Sequence, residues 1–337
     1  MKDNKVNNAI TEFHLFAGIG GGIYGGELLG HHCCGGVEIM TYAQRVLRQR
    51  QIDGWMDDFP IYDDLCKLSG EPFKGKFDLL CGGFPCQAFS TAAHGKNVAS
   101  KNLWGEMFRF AKESDAPIVF GENVVLRAIE KAKSDLESLG YKVERIRLSC
   151  SDIGADHQRN RFWLLAVKDW RLFAKLAVHL ATLPKLTGDC WTMNPQDTGA
   201  HVEVKQEDRR LQLLGVGNAQ SPFAAATAFR ILVNRHLYPS DNQTEDVSEE
   251  EIANVFTKKE TWIQRTFNNI GLVHTPTTMA NYACKSMMKH QGCRNFTEVF
   301  GRPEPGNAEY LMGFPLGASS PSALSKDNFI KWRNNNG

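Results

Sequence analysis

The sequence has no long apolar run, no excess of one charge sign and no internal repeat. Apolar stretches such as residues 79–81 and 162–167 are far too short to cross a membrane, so we expect no membrane contact. The 39 Lys and Arg residues are balanced by 38 Asp and Glu residues, which excludes a polycationic packaging protein but not an enzyme with one local basic face. Residues 1–8 are polar and lack the apolar core of a signal peptide, so we expect a cytoplasmic protein.

A disulfide framework is not indicated either. The nine cysteines are an odd number scattered over 337 residues, which is typical of reduced thiols. The apolar share of 42% and the charged share of 23% are ordinary for a globular protein and exclude a disordered or fibrous chain. This length lies near the size at which one core stops growing, so we expect one large domain and one smaller domain.

Short apolar runs alternate with helical patterns over the first 167 residues. Candidate strands lie at 13–17, 37–39, 77–81, 117–120, 143–148 and 162–167. The alternation predicts an α/β fold with a doubly wound, mostly parallel sheet.

We assign this main domain to residues 10–170, completed by residues 215–235, where Pro222 begins an Ala-rich helix. Residues 170–214 lack clear periodicity, so we predict no regular structure there. Residues 236–325 are predicted to form the second, smaller domain.

A glycine-rich turn follows the first candidate strand. Gly18 and Gly20 would let the backbone approach a ligand, and Glu38, at the end of the next strand, is placed to accept hydrogen bonds from ribose hydroxyls. Gly20, Gly22 and Gly25 also satisfy G-x-G-x-x-G, which leaves a nicotinamide dinucleotide open as the ligand. The turn therefore predicts a cofactor that contains a nucleoside.

Reactive side chains follow or precede three other candidate strands. Cys86 lies in the loop after the strand at 77–81, and Glu122 follows the strand at 117–120. Arg159 and Arg161, two residues apart before the strand at 162–167, would face one anion or carbonyl. Glu122 could instead serve as a helix-cap partner, and the arginines could pair with surface carboxylates. Because strand ends are where doubly wound sheets bind ligands, the set of four predicts an active site.

At these residues the chain resembles the DNA (cytosine-5)-methyltransferase family. The matching motifs are Phe16-Ala17-Gly18-x-Gly20-Gly21, Gly83-Phe84-Pro85-Cys86-Gln87 followed by Ser90, Glu122-Asn123-Val124, Arg159-x-Arg161 and Gly217-Asn218-Ala219, together with Asp64. The resemblance implies a Rossmann-like methyltransferase fold and catalysis by Cys86, Glu122, Arg159 and Arg161. It also implies that the cofactor S-adenosyl-L-methionine is bound by Phe16, Ala17, Gly18, Gly20, Glu38, Asp64, Leu65, Gly83, Pro85, Asn218 and Ala219.

The chain departs from the family pattern in three places. His14 stands where many members carry Asp, and His157 where many carry Gln. The segment at 309–315, which contains Gly313-Phe314-Pro315, normally precedes the Gly-Asn-Ala motif, but here it follows that motif by about ninety residues. We therefore expect a rearranged small domain.

The family chemistry explains why these residue types are needed. A thiolate from Cys86 would add to C6 of cytosine and make C5 electron-rich. Glu122, in its protonated form, would donate to N3, and Arg161, supported by Arg159, would hold the base carbonyl oxygen. The target base must leave the duplex, and we expect residues 87–102 to close over the DNA.

Double-stranded DNA is the expected partner of a monomeric enzyme in a bacterium or a phage-infected cell. Lys285, Lys289, Arg294 and Arg302 favour residues 241–320 as the DNA-facing part, although residues 170–214 are the alternative. No metal is expected, because Cys284, His290 and Cys293 fit no standard zinc spacing. The same chemistry on tRNA and a nicotinamide-dependent oxidoreductase are the alternative functions.

Overall fold

The computed structural model describes residues 9–85, 103–195, 206–240, 244–267, 271–276 and 296–336. Seven strands form one sheet: β1 (Thr11–Leu15), β2 (His32–Val37), β3 (Ile61–Tyr62), β4 (Leu79–Gly83), β5 (Ile118–Asn123), β6 (Lys142–Leu148) and β7 (Arg161–Val167). They lie in the order β3-β2-β1-β4-β5-β7-β6, and β7 runs antiparallel to both of its neighbours whereas the strands from β3 to β5 are parallel. The predicted doubly wound, mostly parallel sheet is therefore confirmed.

Helices cover both faces of this sheet: α1 (Gly21–Leu28), α2 (Thr41–Ile52), α3 (Trp104–Glu113), α4 (Leu126–Ser138) and α7 (Pro222–Leu237). On one face, Leu80 and Val119 pack in an apolar cluster with residues of α3 and α4. On the other face, Leu79 and Ile118 belong to a cluster that includes residues of α1, α2 and α7. Because successive strand residues enter opposite layers that are both apolar, β4 and β5 carry no alternation of polar and apolar residues.

The prediction of no regular structure at 170–214 is wrong. This region contains α5 (Trp170–Thr182), β8 (Leu186–Thr187) and α6 (Gln206–Asn218). The carboxylate of Asp169 caps α5 by accepting hydrogen bonds from two N–H groups of the first turn, at 2.9 and 3.0 Å. Phe173, Leu176 and Leu180 are buried on one face of that helix, so a helical spacing was present in the sequence.

The remaining elements follow α7 in the chain: α8 (Glu249–Val255), β9 (Phe256–Thr257), α9 (Trp262–Phe267), α10 (Phe296–Phe300), α11 (Pro305–Met312) and α12 (Lys326–Asn336). β9 pairs with β8 in a short parallel sheet. Arg147 N donates to Glu245 O at 2.7 Å, and Val273 N donates to Asp156 O at 2.6 Å, so the described segments 244–267 and 271–276 each contact the main sheet or its loops. The assignment of residues 236–325 to a second, smaller domain stays a prediction.

The C-terminal helix packs against the first two helices of the chain. Phe329 of α12 stacks on Trp55, which follows α2, and also contacts Tyr24 of α1, with ring centroids 5.8 and 6.0 Å apart. The guanidinium group of the buried Arg50 donates to the carbonyl oxygens of Gly317 and Ser322. The last described residues therefore complete the layer that contains α1 and α2. Among the described helices, none combines the length and apolar character that crossing a membrane requires.

The segment at 309–315, which follows the Gly-Asn-Ala motif in this chain instead of preceding it, lies close to that motif in the fold. It begins within α11, and this helix contacts α6, the helix that ends at Asn218. Trp191 Nε1 donates to Tyr310 O at 2.9 Å, and the Tyr310 hydroxyl donates to Trp191 O. The order of these segments along the chain thus differs from the family pattern, while the two segments are neighbours in space.

Candidate active site

The loop that leads to Cys86 begins beside the candidate catalytic glutamate. Gly83, the last residue of β4, is the register partner of Glu122 in β5. Asn123 donates from Nδ2 to Phe84 O at 2.8 Å, which fixes the turn that follows β4. Pro85 is the last described residue of this loop, and Cys86 lies outside the described residues. The backbone that precedes the candidate nucleophile is therefore held next to Glu122.

Glu122 and Arg161 form an ion pair at this edge of the sheet. Arg161 Nε lies 2.9 Å from Glu122 Oε1, and the two side chains are 20% and 10% exposed. Arg161 is the first residue of β7 and Glu122 is near the end of β5. Only because β7 is antiparallel does its first residue lie at the same edge as the carboxyl ends of β4 and β5.

Arg159 has other partners. Its Nη2 donates to the carbonyl oxygens of Gly217 and Ala219, at 3.0 and 2.7 Å. Arg159 is buried, and this burial, together with repulsion from Arg161, lowers the pKa of Arg159. Among the described residues the two arginines share no hydrogen-bond partner, so the predicted convergence on one anion is not observed. Arg159 instead attaches the Gly-Asn-Ala motif to the edge of the sheet at which Glu122 and Arg161 lie.

The glycine-rich turn has one glycine that faces open space. Gly18 has φ +56°, and a Cβ atom on it would meet nothing within 4 Å. Phe16, with φ 55°, adopts the left-handed conformation that is rare for a residue with a side chain. Strained backbone of this kind is found at ligand sites, and the N–H groups that begin α1 have no side-chain cap. These features suit a bound ligand at Gly18.

Unlike Gly18, the three glycines of the G-x-G-x-x-G match lie against other atoms of the protein. A Cβ on Gly20 would collide with Met56, and one on Gly22 would lie 2.6 Å from Gln220 Oε1. On Gly25 a Cβ would lie 3.0 Å from the Ala225 Cβ. These glycines therefore allow close packing of α1, which explains the match without a dinucleotide.

Two acidic residues were predicted to bind the cofactor: Glu38 lies beside the glycine-rich turn, and Asp64 lies in the loop after β3. Glu38 accepts hydrogen bonds from Gly18 N and Met40 N, both at 2.7 Å, and burial raises its pKa. Asp64 pairs with Lys67, with Oδ2 and Nζ 3.1 Å apart, and this contact lowers the pKa of Asp64. Of its chain neighbours, Leu65 is buried. Glu38 thus holds the backbone of the glycine-rich turn in place through its hydrogen bond with Gly18 N.

Two residues near the site were missed by the sequence reasoning. Ile39, which follows Glu38, is 71% exposed although it is a large apolar residue. Gln220, which follows Ala219, donates from Nε2 to Glu122 Oε2 at 3.3 Å. Ile39 could have been predicted, because it directly follows an acidic residue at a strand end. Nothing in the sequence around Gln220 indicates its contact with Glu122. Asn218, at the end of α6, is exposed.

The two histidines that depart from the family pattern are both buried. His14 Nε2 and His31 Nδ1 lie 2.7 and 2.6 Å from the two carboxylate oxygens of Glu12. Burial, followed by repulsion from Arg159 and Arg161, lowers the pKa of His157 to about 3, so this ring is neutral.

One set of potential metal ligands occurs within the part of the chain that the structure describes. The ligand atoms of Glu12, His14 and Cys81 lie within 4.8 Å of one another. Both oxygens of Glu12 already accept hydrogen bonds from histidines, so the carboxylate has partners without a metal ion. Cys284, His290 and Cys293 lie outside the described residues.

The strand order, the antiparallel β7 and the glycine-rich turn define a Rossmann-like methyltransferase fold of the S-adenosylmethionine-dependent class. Residues 10–291 match the family model of the C-5 cytosine-specific DNA methylases, and the chain belongs to this family.

Curated relatives are similar over part of their length. The Type II methyltransferase M.Eco47II of Escherichia coli is 31% identical over 175 residues, which are 48% of this chain and 40% of the relative. M.NgoMIV of Neisseria gonorrhoeae is 31% identical over 192 residues, 53% of this chain and 59% of the relative. M.PspPI of Psychrobacter sp. (strain TA137) is 37% identical over 143 residues, 38% of this chain and 32% of the relative. The chain therefore spans less than two-thirds of each of these relatives.

Proposed function

We propose that this protein is a DNA (cytosine-5)-methyltransferase, which transfers a methyl group from S-adenosyl-L-methionine to C5 of a cytosine in duplex DNA. The observation that carries the proposal is the Glu122–Arg161 ion pair beside the turn that leads to Cys86. Family membership supports it, since the matched residues 10–291 include all four candidate catalytic residues.

The residues around Gly18 fit the proposed cofactor. The open space at Gly18 and the uncapped N-terminus of α1 can accept its polar groups, and the exposed Ile39 offers an apolar surface for its adenine ring. We assign cofactor binding to the residues predicted from the sequence, with Ile39 added. When bound, the cofactor supplies an electrophilic methyl group, and all other groups of the reaction come from the protein and the base.

The protein's own residues activate the cytosine. The Cys86 sulfur adds to C6, and the electrons of the C5–C6 double bond become available at C5 while Glu122 gives a proton to N3. Arg161 holds the Glu122 carboxyl group in place, and Glu122 takes up a proton before this transfer. After C5 has been methylated, the C5 proton is lost to solvent, the Cys86 sulfur leaves C6 as a thiolate, and N3 returns its proton to Glu122, which restores the aromatic ring. Arg159 acts here through the backbone of the Gly-Asn-Ala motif.

A base inside a duplex cannot reach a thiol, so the proposal includes a cytosine that is flipped out of the helix. The DNA-facing role of residues 241–320 belongs to the same proposal, and Lys285, Lys289 and Arg294 lie outside the described residues. Because the similar relatives are named Type II methyltransferases, we infer a role in DNA modification linked to restriction or to protection from it, in a bacterium or its phage.

Removal of the proposed nucleophile tests the reaction. We expect Cys86→Ser to lower methyl transfer from labelled cofactor to mixed-sequence plasmid DNA by at least about a thousandfold, because an alcohol adds to C6 far less readily than a thiolate. Cys34→Ser is the matched control, because Cys34 is a free thiol near the amino end of β2 whose sulfur contacts the backbone oxygens of Glu12 and Lys76.

A second readout detects the covalent step itself. Duplexes in which 5-fluorocytosine replaces the target base should trap the native protein covalently, because fluorine cannot leave C5 as a proton does. Full activity of the Cys86→Ser protein, or native activity without any trapped complex, would contradict the mechanism. Methylation of tRNA but not of DNA would contradict the proposed substrate.

A further inference from the structure

Gln220 lies where the link between α6 and α7 meets the ends of β5 and β7 that carry Glu122 and Arg161. It occupies the short link between α6 and α7, directly after the Gly-Asn-Ala motif. Its side-chain amide donates from Nε2 to Glu122 Oε2 at 3.3 Å, while Arg161 Nε lies 2.9 Å from the other oxygen of the same carboxyl group. Both oxygens of Glu122 thus have a nitrogen donor from a different part of the chain.

Glycines leave the space that this contact needs. A Cβ on Gly83 would lie 2.7 Å from Glu122 Oε2 and 2.9 Å from Gln220 Nε2, so with a larger residue at 83 at least one of these two side chains would have to shift. A Cβ on Gly22 would lie 2.6 Å from Gln220 Oε1, and one on Gly21 would collide with the Gln220 backbone. The amide of Gln220 is therefore enclosed by β4 on one side and by α1 on the other.

The backbone next to Gln220 is held as firmly as its side chain. Arg159 Nη2 donates to the carbonyl oxygens of Gly217 and Ala219, at 3.0 and 2.7 Å. The second of these carbonyls belongs to the peptide bond that joins Ala219 to Gln220. Arg159 therefore fixes the point from which the Gln220 side chain reaches Glu122.

The chemical difference between the two partners of Glu122 matters for a group that gains and loses a proton. A guanidinium group can only donate hydrogen bonds, so it favours the carboxylate form. A glutamine amide has both an NH₂ group and a carbonyl oxygen, so it can donate to the carboxylate and, after rotation, accept from the protonated acid. Gln220 can keep contact with Glu122 in both states.

We propose that Gln220 is a positioning residue for Glu122, which holds Oε2 during proton transfer to the cytosine ring. The inference rests on the proposed function, because it assigns Gln220 a part in that reaction alone. It adds a residue from the link between α6 and α7 to a site otherwise formed by the ends of β4, β5 and β7.

Two substitutions of similar size separate a positioning role from simple packing. Gln220→Met keeps the length of the side chain and removes both the NH₂ donor and the carbonyl acceptor of the amide, whereas Gln220→Glu keeps the shape and places a second carboxyl group against Glu122. We expect Gln220→Met to lower kcat about tenfold with little change in KM for DNA or for the cofactor, since one hydrogen bond to a reacting group is lost. Gln49→Met is the matched control, because Gln49 lies on α2 and its side-chain amide donates to Asp53, just after the end of that helix, and not to Glu122.

The pH profile of kcat gives a readout that packing alone would not move. Loss of an N–H donor disfavours the carboxylate form of Glu122, so the alkaline limb of the profile should move to higher pH in Gln220→Met and further in Gln220→Glu. Far-UV circular dichroism and thermal unfolding would verify that both variants are folded.

The outcomes distinguish this inference from the proposed function. If the native protein methylates DNA and Gln220→Met retains its kcat and pH profile, the inference is wrong and the function stands. If Gln220→Met is unfolded, the Gln220→Glu profile decides: an unmoved alkaline limb overturns the inference. If the native protein neither methylates DNA nor forms a covalent complex with 5-fluorocytosine duplexes, both proposals fail.

Discussion

Gly18 and Gly75 both have φ angles in the left-handed range, but they lie at different places in the fold. Their φ angles are +56° and +65°, and at both positions a Cβ atom would meet nothing within 4 Å. Gly75 precedes β4 and so lies at the amino ends of the parallel strands, whereas Gly18 lies at the carboxyl ends, where the cofactor is proposed to bind. The two glycines therefore form a matched pair for separating backbone strain from ligand contact.

Alanine at each position should destabilise the fold by about 1–2 kcal/mol, because a left-handed conformation costs this much once a Cβ is present. Only Gly18→Ala should also weaken S-adenosyl-L-methionine binding, by about tenfold or more, since its new methyl group fills space that the ligand needs. Thermal unfolding and titration calorimetry measure the two effects. Unchanged cofactor affinity in Gly18→Ala would show that the open space at this turn is not the binding site.

At this scale the sequence predicted which side chains meet, but only where strand ends bring them together. Glu122 and Arg161 were expected at neighbouring strand ends, and they form an ion pair. The carbonyl partners of Arg159 lie 58 and 60 residues away along the chain, and no local pattern marks such a contact. The role of Gln220 was missed for the same reason, because its hydrogen-bond partner Glu122 is 98 residues away in the sequence.

Between elements, a buried polar network joins β1 to the segment that follows α1. Glu12 of β1 accepts hydrogen bonds from His14 and from His31, which precedes β2. A Cβ on Gly26 of α1 would collide with this carboxylate, so a glycine is required where the helix crosses it. Burial alone would raise the pKa of Glu12, but the charge of His31 and hydrogen bonds from both histidines lower it to about 2.

A pKa below the ordinary value near 4.5 means that ionised Glu12 stabilises the fold, and the sign of the pH effect follows. The contribution is fully present above about pH 4.5 and is lost as the pH falls towards 2. We expect Glu12→Gln to cost about 3–5 kcal/mol at pH 6, because the buried histidines lose their charged partner. The difference from the native protein in urea unfolding should shrink at lower pH, and a difference that stays constant with pH would contradict this account.

Element types were predicted well where apolar runs are uninterrupted and poorly elsewhere. Five strand candidates of the first 167 residues correspond to β1, β4, β5, β6 and β7, with shifts of up to three residues at their ends, whereas the candidate at 37–39 shares only Val37 with β2 and β3 was missed. The direction of β7 does not follow from its composition, because an apolar strand that is covered on both faces looks the same in either direction. In residues 170–214 helix α5 was missed because the residues between Phe173, Leu176 and Leu180 include further apolar ones, Ala174, Ala177 and Val178, so the buried face does not stand out in the sequence.

For the whole molecule, the C-terminal segment is part of the main apolar core. Phe329 and Trp332 belong to the same cluster of buried residues as Trp55, Leu79 and Ile118. The Trp55 indole also donates from Nε1 to Ser325 O at 2.9 Å. The sequence did not predict this packing, since the chain order of the family pattern is changed here and contacts between segments some 270 residues apart leave no local signal.

Phe329→Ala tests whether this core unfolds as one unit. We expect a loss of about 3–5 kcal/mol, because the ring is buried between Trp55 and Tyr24 and its removal leaves a cavity. The loss should appear in a single urea transition followed by circular dichroism, and Val178→Ala, at a position that is 68% exposed, should stay within about 0.5 kcal/mol of the native protein. Two transitions, with only one shifted by Phe329→Ala, would show that the segment folds separately.

The contact between α12 and α1 also bears on the rate of folding. Phe329 lies 305 residues after Tyr24 and 274 residues after Trp55 in the sequence. Contacts at such separations require the closure of a very long loop, and proteins rich in them fold slowly. The layer that contains α1 and α2 therefore reaches its final packing only when the intervening elements have brought Phe329 close to it.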